Sequence, residues 1–132
     1  MNKQQKINDL LAQIEALKLA DSQKFSWDDA PLICSLDGSK WLLGQESEEK
    51  MQWLEAVKWC KSVGGELPPR SILLLAYINE DTRKLFKPKW YWTATGLNDK
   101  GAWKQYFFNG TQGFGTTQTL YYVRAVKRIS CC

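Results

Sequence analysis

The clearest hydrophobic rhythm in the chain lies in residues 53–70, WLEAVKWCKSVGGELPPR. Trp53 and Leu54, then Val57, Cys60 and Val63, follow three- and four-residue steps, predicting one buried face of an amphipathic helix, with Ala56 small enough for close packing. Ser47 is the expected cap upstream, with Glu48 and Glu49 favoured by the helix dipole in the first turn. Gly64 stands where a helix end calls for a left-handed residue. Leu67-Pro68-Pro69 then forces an extended bend, because a residue before proline avoids helical backbone. Residues 71–78, SILLLAYI, are apolar enough for a second, buried helix.

Upstream of this unit the pattern is thinner. Ile7, Leu10, Ile14 and Leu17 are spaced three and four apart among wet flanks, which predicts an amphipathic helix within residues 1–22. Its narrow stripe suits either docking on its own domain or self-association, and we favour self-association. Residues 31–36 and 40–43 are apolar runs about Asp37-Gly38, the expected turn of a hairpin. Downstream, residues 90–95 (WYWTAT), 103–108 (WKQYFF) and 120–129 (LYYVRAVKRI) are aromatic and β-branched strand material. The last alternates Tyr122, Arg124 and Val126 against Tyr121, Val123 and Ala125, and Trp90 and Trp92 share a face by the same two-residue period. We expect core positions for both tryptophans and a structural, hydrogen-bonding role for Arg124. Residues 109–119, rich in glycine and threonine, are the expected loop, with Phe114 exposed. The pattern therefore predicts an α+β domain over residues 23–132, an antiparallel meander with two covering helices.

Composition narrows the chemistry. The chain has no histidine among 132 residues, which removes Ser-His-Asp and Cys-His nucleophilic sites and histidine-ligated zinc. Carboxylate pairs among Asp28, Asp29, Glu66, Glu80 and Asp81 need a shared cleft before they suggest an enzyme. The four cysteines, Cys34, Cys60, Cys131 and Cys132, include no CxxC pair; a Cys34–Cys60 bridge stays open, and Cys60 on the helix face is expected as a small core hydrophobe. The net charge of +4 is spread along the chain against 14 acids, which disfavours nucleic acid as partner. Arg83, Lys84, Lys87 and Lys89 are expected to form a solvated face rather than an anion site. No stretch reads as a signal peptide or a membrane span, so the expected location is cytoplasmic in the producing cell, with virion association open.

Several elements in order carry a resemblance. Ala56-Val57-Lys58-Trp59-Cys60, Gly65-Glu66-Leu67-Pro68, Tyr91-Trp92-Thr93-Ala94-Thr95, the Trp103–Phe107 stretch and Tyr122-Val123-Arg124-Ala125-Val126-Lys127 resemble the Lcl C-terminal-domain-like family of bacterial and phage domains. Lys40-Trp41-Leu42-Leu43 is similar to that family's opening strand. The resemblance implies a C-type-lectin-like fold, a rigid scaffold that presents loops between its late strands. Departures are plain: Glu66 and Pro69 stand where Trp-Arg-Leu-Pro-Thr is usual, no late-strand cysteine precedes Cys131, and the calcium-binding motifs of true C-type lectins are missing. The catalytic cysteines of the fold-related sulfatase-modifying enzymes have no matching positions.

The expected function is accordingly a non-enzymatic recognition module, phage- or prophage-encoded, that binds a protein or glycan partner without metal or cofactor. Candidate contact residues are Trp103, Tyr106, Asn109, Thr111, Phe114, Tyr121 and Tyr122, since aromatic side chains give rigid amphipathic contacts. Two settings fit, a soluble intracellular inhibitor of a host enzyme or defence complex and a tail-fibre or adhesin tip. Ile7, Leu10, Ile14 and Leu17 are the candidate oligomerisation residues.

Overall fold

A computed structural model describes residues 3, 6–13, 25–98 and 100–130. Ile14, Leu17, Cys131 and Cys132 lie outside the described residues. Residues 6–13 are helical (α1), and Ile7, Leu10 and Leu11 are exposed on it. After a 3₁₀ turn at Trp27–Asp29 come β1 (Leu32–Leu36), β2 (Ser39–Glu46), α2 (Trp53–Ser62), α3 (Arg70–Ile78) and the short α4 (Glu80–Arg83). The late strands are β3 (Trp90–Asn98), β4 (Gly101–Tyr106), β5 (Gln112–Thr116) and β6 (Arg124–Ser130). They build an α+β domain on two antiparallel three-stranded sheets, ordered β1-β2-β6 and β3-β4-β5.

The hairpin turns at Asp37 and Gly38, both with positive φ, the conformation that a two-residue turn of this hand requires. Beyond α2, Gly64 has φ +85°, and Gly65 lets the chain pass close to the last strand: a Cβ there would lie 2.6 Å from the Val126 carbonyl. Glu66 and Val126 exchange backbone hydrogen bonds at that crossing, of 2.7 and 2.9 Å. The bend is thus the join between the helical unit and β6.

Two elements differ from the sequence pattern. The expected third strand of the meander is β5, inside the glycine- and threonine-rich stretch, and not residues 120–129. Gly115 opposes Ala102 there, and a Cβ on it would meet Tyr121 at 2.8 Å and Trp92 at 3.1 Å, so its glycine serves close approach within a strand. The terminal segment instead changes partner. Tyr122 exchanges backbone hydrogen bonds with Trp90 and Trp92 beside β3, and from Arg124 the chain pairs with β2 in the other sheet. Ser47 is the second correction. The N-cap of α2 is Gln52, without a side-chain bond, while Ser47 is buried and its Oγ accepts from the Val123 N–H at 3.1 Å. A donor orphaned where the terminal strand switches sheets needs that hydroxyl more than the helix does.

Period two along the late strands sorts the core into two clusters, one on each side of the β3-β4-β5 sheet. Tyr91 and Phe107 face α3 and the first sheet, among Trp41, Leu43, Ile72, Leu73 and Val126. Trp92 and Ala102 face α2, among Ala56, Cys60, Leu67, Val123 and Ala125. Trp92 is fully buried, whereas Trp90, at the same face, is half-buried. Leu54 departs from the expected helix face and is 59% exposed. Three indole N–H groups end on carbonyls: Trp27 on Val63 (3.1 Å), Trp53 on Thr93 (2.8 Å) and Trp92 on Met51 (2.9 Å). A buried tryptophan needs such a partner, and here each bond also ties separate elements together.

Cys34 and Cys60 are free thiols. Burial, with the Glu66 charge adding to it, pushes the Cys60 thiol from its ordinary 9.0 up to about 12. A raised folded-state value means that this group's contribution to stability is complete below about pH 9 and is lost as pH climbs towards 12. Urea titrations should therefore show wild-type stability falling over that window more steeply than in Cys60→Ala. Equal slopes would remove Cys60 as a source of the alkaline loss.

Candidate functional site

The two sheets and the loops between them meet at Glu46. Its Oε1 accepts a hydrogen bond from the Tyr91 hydroxyl, and its other oxygen, Oε2, lies 3.0 Å from Lys87 Nζ. Arg124 Nη1 stands 3.8 Å from Oε1, the oxygen that accepts from Tyr91, and the same guanidinium donates to the carbonyls of Gly44 (2.9 Å) and Leu85 (2.7 Å). The side chains of Glu46 and Arg124 are only 18% and 15% exposed. Burial pushes the Tyr91 phenol well above its ordinary range, helped by the Glu46 hydrogen bond; burial lowers Arg124, with Glu46 opposing. These directions describe a neutral phenol bridging to a carboxylate that is compensated by two cations. Arg124 thus has structural hydrogen-bond partners, and Tyr122 belongs to this knot as well, with its ring beside Tyr91 and under Lys87 Nζ at 4.3 Å. Of the other basic residues in that neighbourhood, half-buried Arg83 pairs with Glu80 and exposed Lys84 with Asp81, while Lys89 is exposed.

The remaining contact candidates divide between the two faces of β4 and β5. On one face Trp103 opposes Phe114, their rings 4.3 Å apart, and Phe114 is 53% exposed. The Arg70 guanidinium lies on Trp103 with its carbon 3.4 Å from the ring centroid. Gln112 Oε1 accepts from Arg70 Nε at 3.0 Å, and Gln112 Nε2 donates to the Arg70 carbonyl and to Gln105 Oε1, both at 2.8 Å. Gln105, fully buried, donates in turn to the Leu73 carbonyl at 2.7 Å. Because every amide in this relay has a defined partner, Gln112 can present only its oxygen to Arg70, and the guanidinium is held in place.

On the other face Trp90 stacks on its cross-strand partner Tyr106 at 5.0 Å, and Tyr106 is followed by Phe108, 69% exposed. Lys104 Nζ sits 4.1 Å from the Trp90 centroid and donates to the Tyr121 hydroxyl at 2.8 Å, an arrangement that pairs a cation with two π faces. Tyr121 itself packs edge-on against buried Trp92. Asn109 and Thr111 shape the connection: Asn109 Oδ1 accepts from the Thr111 N–H at 3.0 Å, and Gly110 takes φ +81° between them. They form the turn that separates Phe108 from β5.

The structure therefore brings Trp103 together with Phe114, and Tyr106 with Tyr121 by way of Trp90 and Lys104, but places the two pairs on opposite faces. Arg70, Gln112, Trp90, Lys104 and Phe108 join these groups although none of them is among the contact residues expected from the sequence, where Trp90 reads as core. Arg70 reads there as the end of a turn, and Gln112 as loop. Trp90 and Phe108 carried a signal, as aromatic positions at the start of one strand and at the end of the next. A groove of about 550 Å³ runs along Gln45–Glu49 against Met51, Trp59 and Val63, and none of the expected contact residues lines it. Among the described residues, no three His, Cys, Asp or Glu side chains converge to hold a metal ion, and no helix is long and apolar enough to cross a membrane. The chain matches no protein-family model and no curated protein sequence.

Proposed function

We propose that this chain is a non-enzymatic recognition module with a C-type-lectin-like fold, phage- or prophage-encoded, that binds a protein partner through the end of its β3-β4-β5 sheet. The observation that supports this reading most is the exposed Phe114 held against Trp103 and the pinned Arg70. Tryptophan and arginine are among the residue types that dominate binding hot spots, and here Trp103 and Arg70 are held by each other and by Gln112 before any partner arrives. Anchoring by two core clusters, one on each face of the sheet, suits a rigid display scaffold. The exposed Ile7, Leu10 and Leu11 of α1 favour self-association of the same chain as an accompanying property.

The test is capture of a partner from host lysate by the full chain, with glycan and oligonucleotide arrays in parallel. A captured protein whose binding survives moderate salt supports the reading. Exclusive binding to oligonucleotides, with affinity falling steeply as salt rises, points to phosphate contacts and rejects it. A light-scattering mass that stays monomeric both with and without residues 1–20 rejects the self-association component.

A further inference from the structure

We infer that Arg70 is a recognition site for a single carboxylate, and that the partner is an acidic peptide segment presenting an aspartate or glutamate next to an apolar side chain for Phe114. This deepens the proposed recognition reading and rests on it. The first observation is the unspent donor capacity of Arg70. Its Nε is engaged by Gln112, its plane lies on Trp103, and its two terminal amino groups have no hydrogen bond and no ion pair among the described residues. That outer edge is the part of a guanidinium which grips a carboxylate with two parallel bonds.

The second observation is the lack of an internal counter-charge. The first turn of α3, which Arg70 opens, contains no acid. The side chains sharing this face of β4 and β5 are Trp103, Gln105, Gln112, Phe114 and Thr116, none of them charged. Two other half-buried arginines meet carboxylates, Arg124 with Glu46 and Arg83 with Glu80, while half-buried Lys104 and Lys127 lie against aromatic rings without an ion pair among the described residues. Arg70 is held by Gln112 and by the Trp103 ring, yet no carboxylate meets its terminal amino groups among the described residues.

The third observation selects the class of anion. One cation on an otherwise neutral, aromatic face matches one carboxylate with an apolar neighbour. A nucleic acid draws its affinity from several phosphates neutralised together, and this face offers a single charge. Phe114, packed on the same Trp103 that carries the cation, supplies a surface on which an aliphatic or aromatic side chain is shielded from water.

The probe is a displayed library of random twelve-residue peptides selected on the full chain. Enriched peptides should carry Asp or Glu within about three residues of a large apolar side chain, as one short segment spans both contacts. Arg70→Gln should weaken a selected peptide roughly 10- to 100-fold, the scale of a charge-assisted bidentate contact. Arg70→Lys, which keeps the charge and loses the fork, should recover only part of that loss. Replacing the acid of the peptide by its amide should cost the same factor in wild type and little in Arg70→Gln. Circular dichroism melts establish that each variant is folded, and Arg70→Lys stands in should Arg70→Gln not fold. Peptides without an acid whose binding is lost in Phe114→Ala but kept in Arg70→Gln would overturn the carboxylate site and leave the recognition surface standing. Binding indifferent to both substitutions, or no enrichment at all, would overturn both. Displacement of the peptide by a single-stranded oligonucleotide, sensitive to Arg70→Gln, would replace the carboxylate with phosphate and overturn the assignment.

Discussion

Glu46→Ala should destabilise the domain by about 3 kcal/mol, the cost of stranding buried opposite charge, and lower its melting temperature by roughly 10 °C. The carboxylate receives Tyr91 and faces Arg124 and Lys87, and its loss leaves a largely buried guanidinium without its anion and a buried phenol without its acceptor. Glu46→Gln keeps an acceptor for Tyr91 while dropping the charge, so it should lose less than alanine does. The effect should be in the unfolding midpoint at unchanged denaturant slope, because the knot joins the two sheets without altering the surface they bury. A Glu46→Ala protein as stable as wild type would mean that the sheets are joined by packing alone.

The second large effect is on binding. Phe114→Ala should weaken the captured partner by about 2 kcal/mol, roughly 30-fold, which is the scale of a hot-spot aromatic. It should leave the melting temperature within a degree or two, as Phe114 is more than half exposed and packs only on Trp103 among the described rings. Tyr121→Ala gives the contrast. Tyr121 packs on Trp92 and receives Lys104, so removing it opens space against a buried indole and is expected to cost stability as well as any contact. Affinity loss without stability loss at Phe114, and both together at Tyr121, can be separated by pairing calorimetric binding with thermal melts.

Much of the domain is legible in the residues themselves. The Asp37-Gly38 turn, α2 with its Gly64 terminus, the proline bend and the apolar α3 follow from local rules: positive φ, helical spacing and proline sterics. The alternation along residues 121–126 is equally local, and Tyr122 and Val126 do fall in one cluster with Tyr121, Val123 and Ala125 in the other. What local rules miss is decided by contacts distant in sequence. Gly115 looks like loop composition until Trp92 and Tyr121 are seen to need its missing side chain. Ser47 looks like a helix cap until Val123, 76 residues on, turns out to need its hydroxyl.

The candidate site shows the same division. Phe114 reads as exposed from its glycine-rich surroundings, and it is. Its grouping with Tyr106, Tyr121 and Tyr122 does not survive strand geometry, because β4 turns Trp103 and Tyr106 to opposite faces and the knot at Glu46 takes Tyr122. Arg70 comes to Trp103 only through the packing of α3 on the late strands, a relation no window of sequence contains.

We propose that recognition occurs on the Arg70, Trp103 and Phe114 face of the late-strand sheet. Hydrogen exchange of the full chain, with and without its captured partner, tests it most directly. Exchange should slow in residues 101–116 and at the start of α3, with residues 31–46 unchanged. Protection confined to the β1–β2 hairpin or to the Gln45–Glu49 groove, with residues 101–116 unaffected, would contradict it.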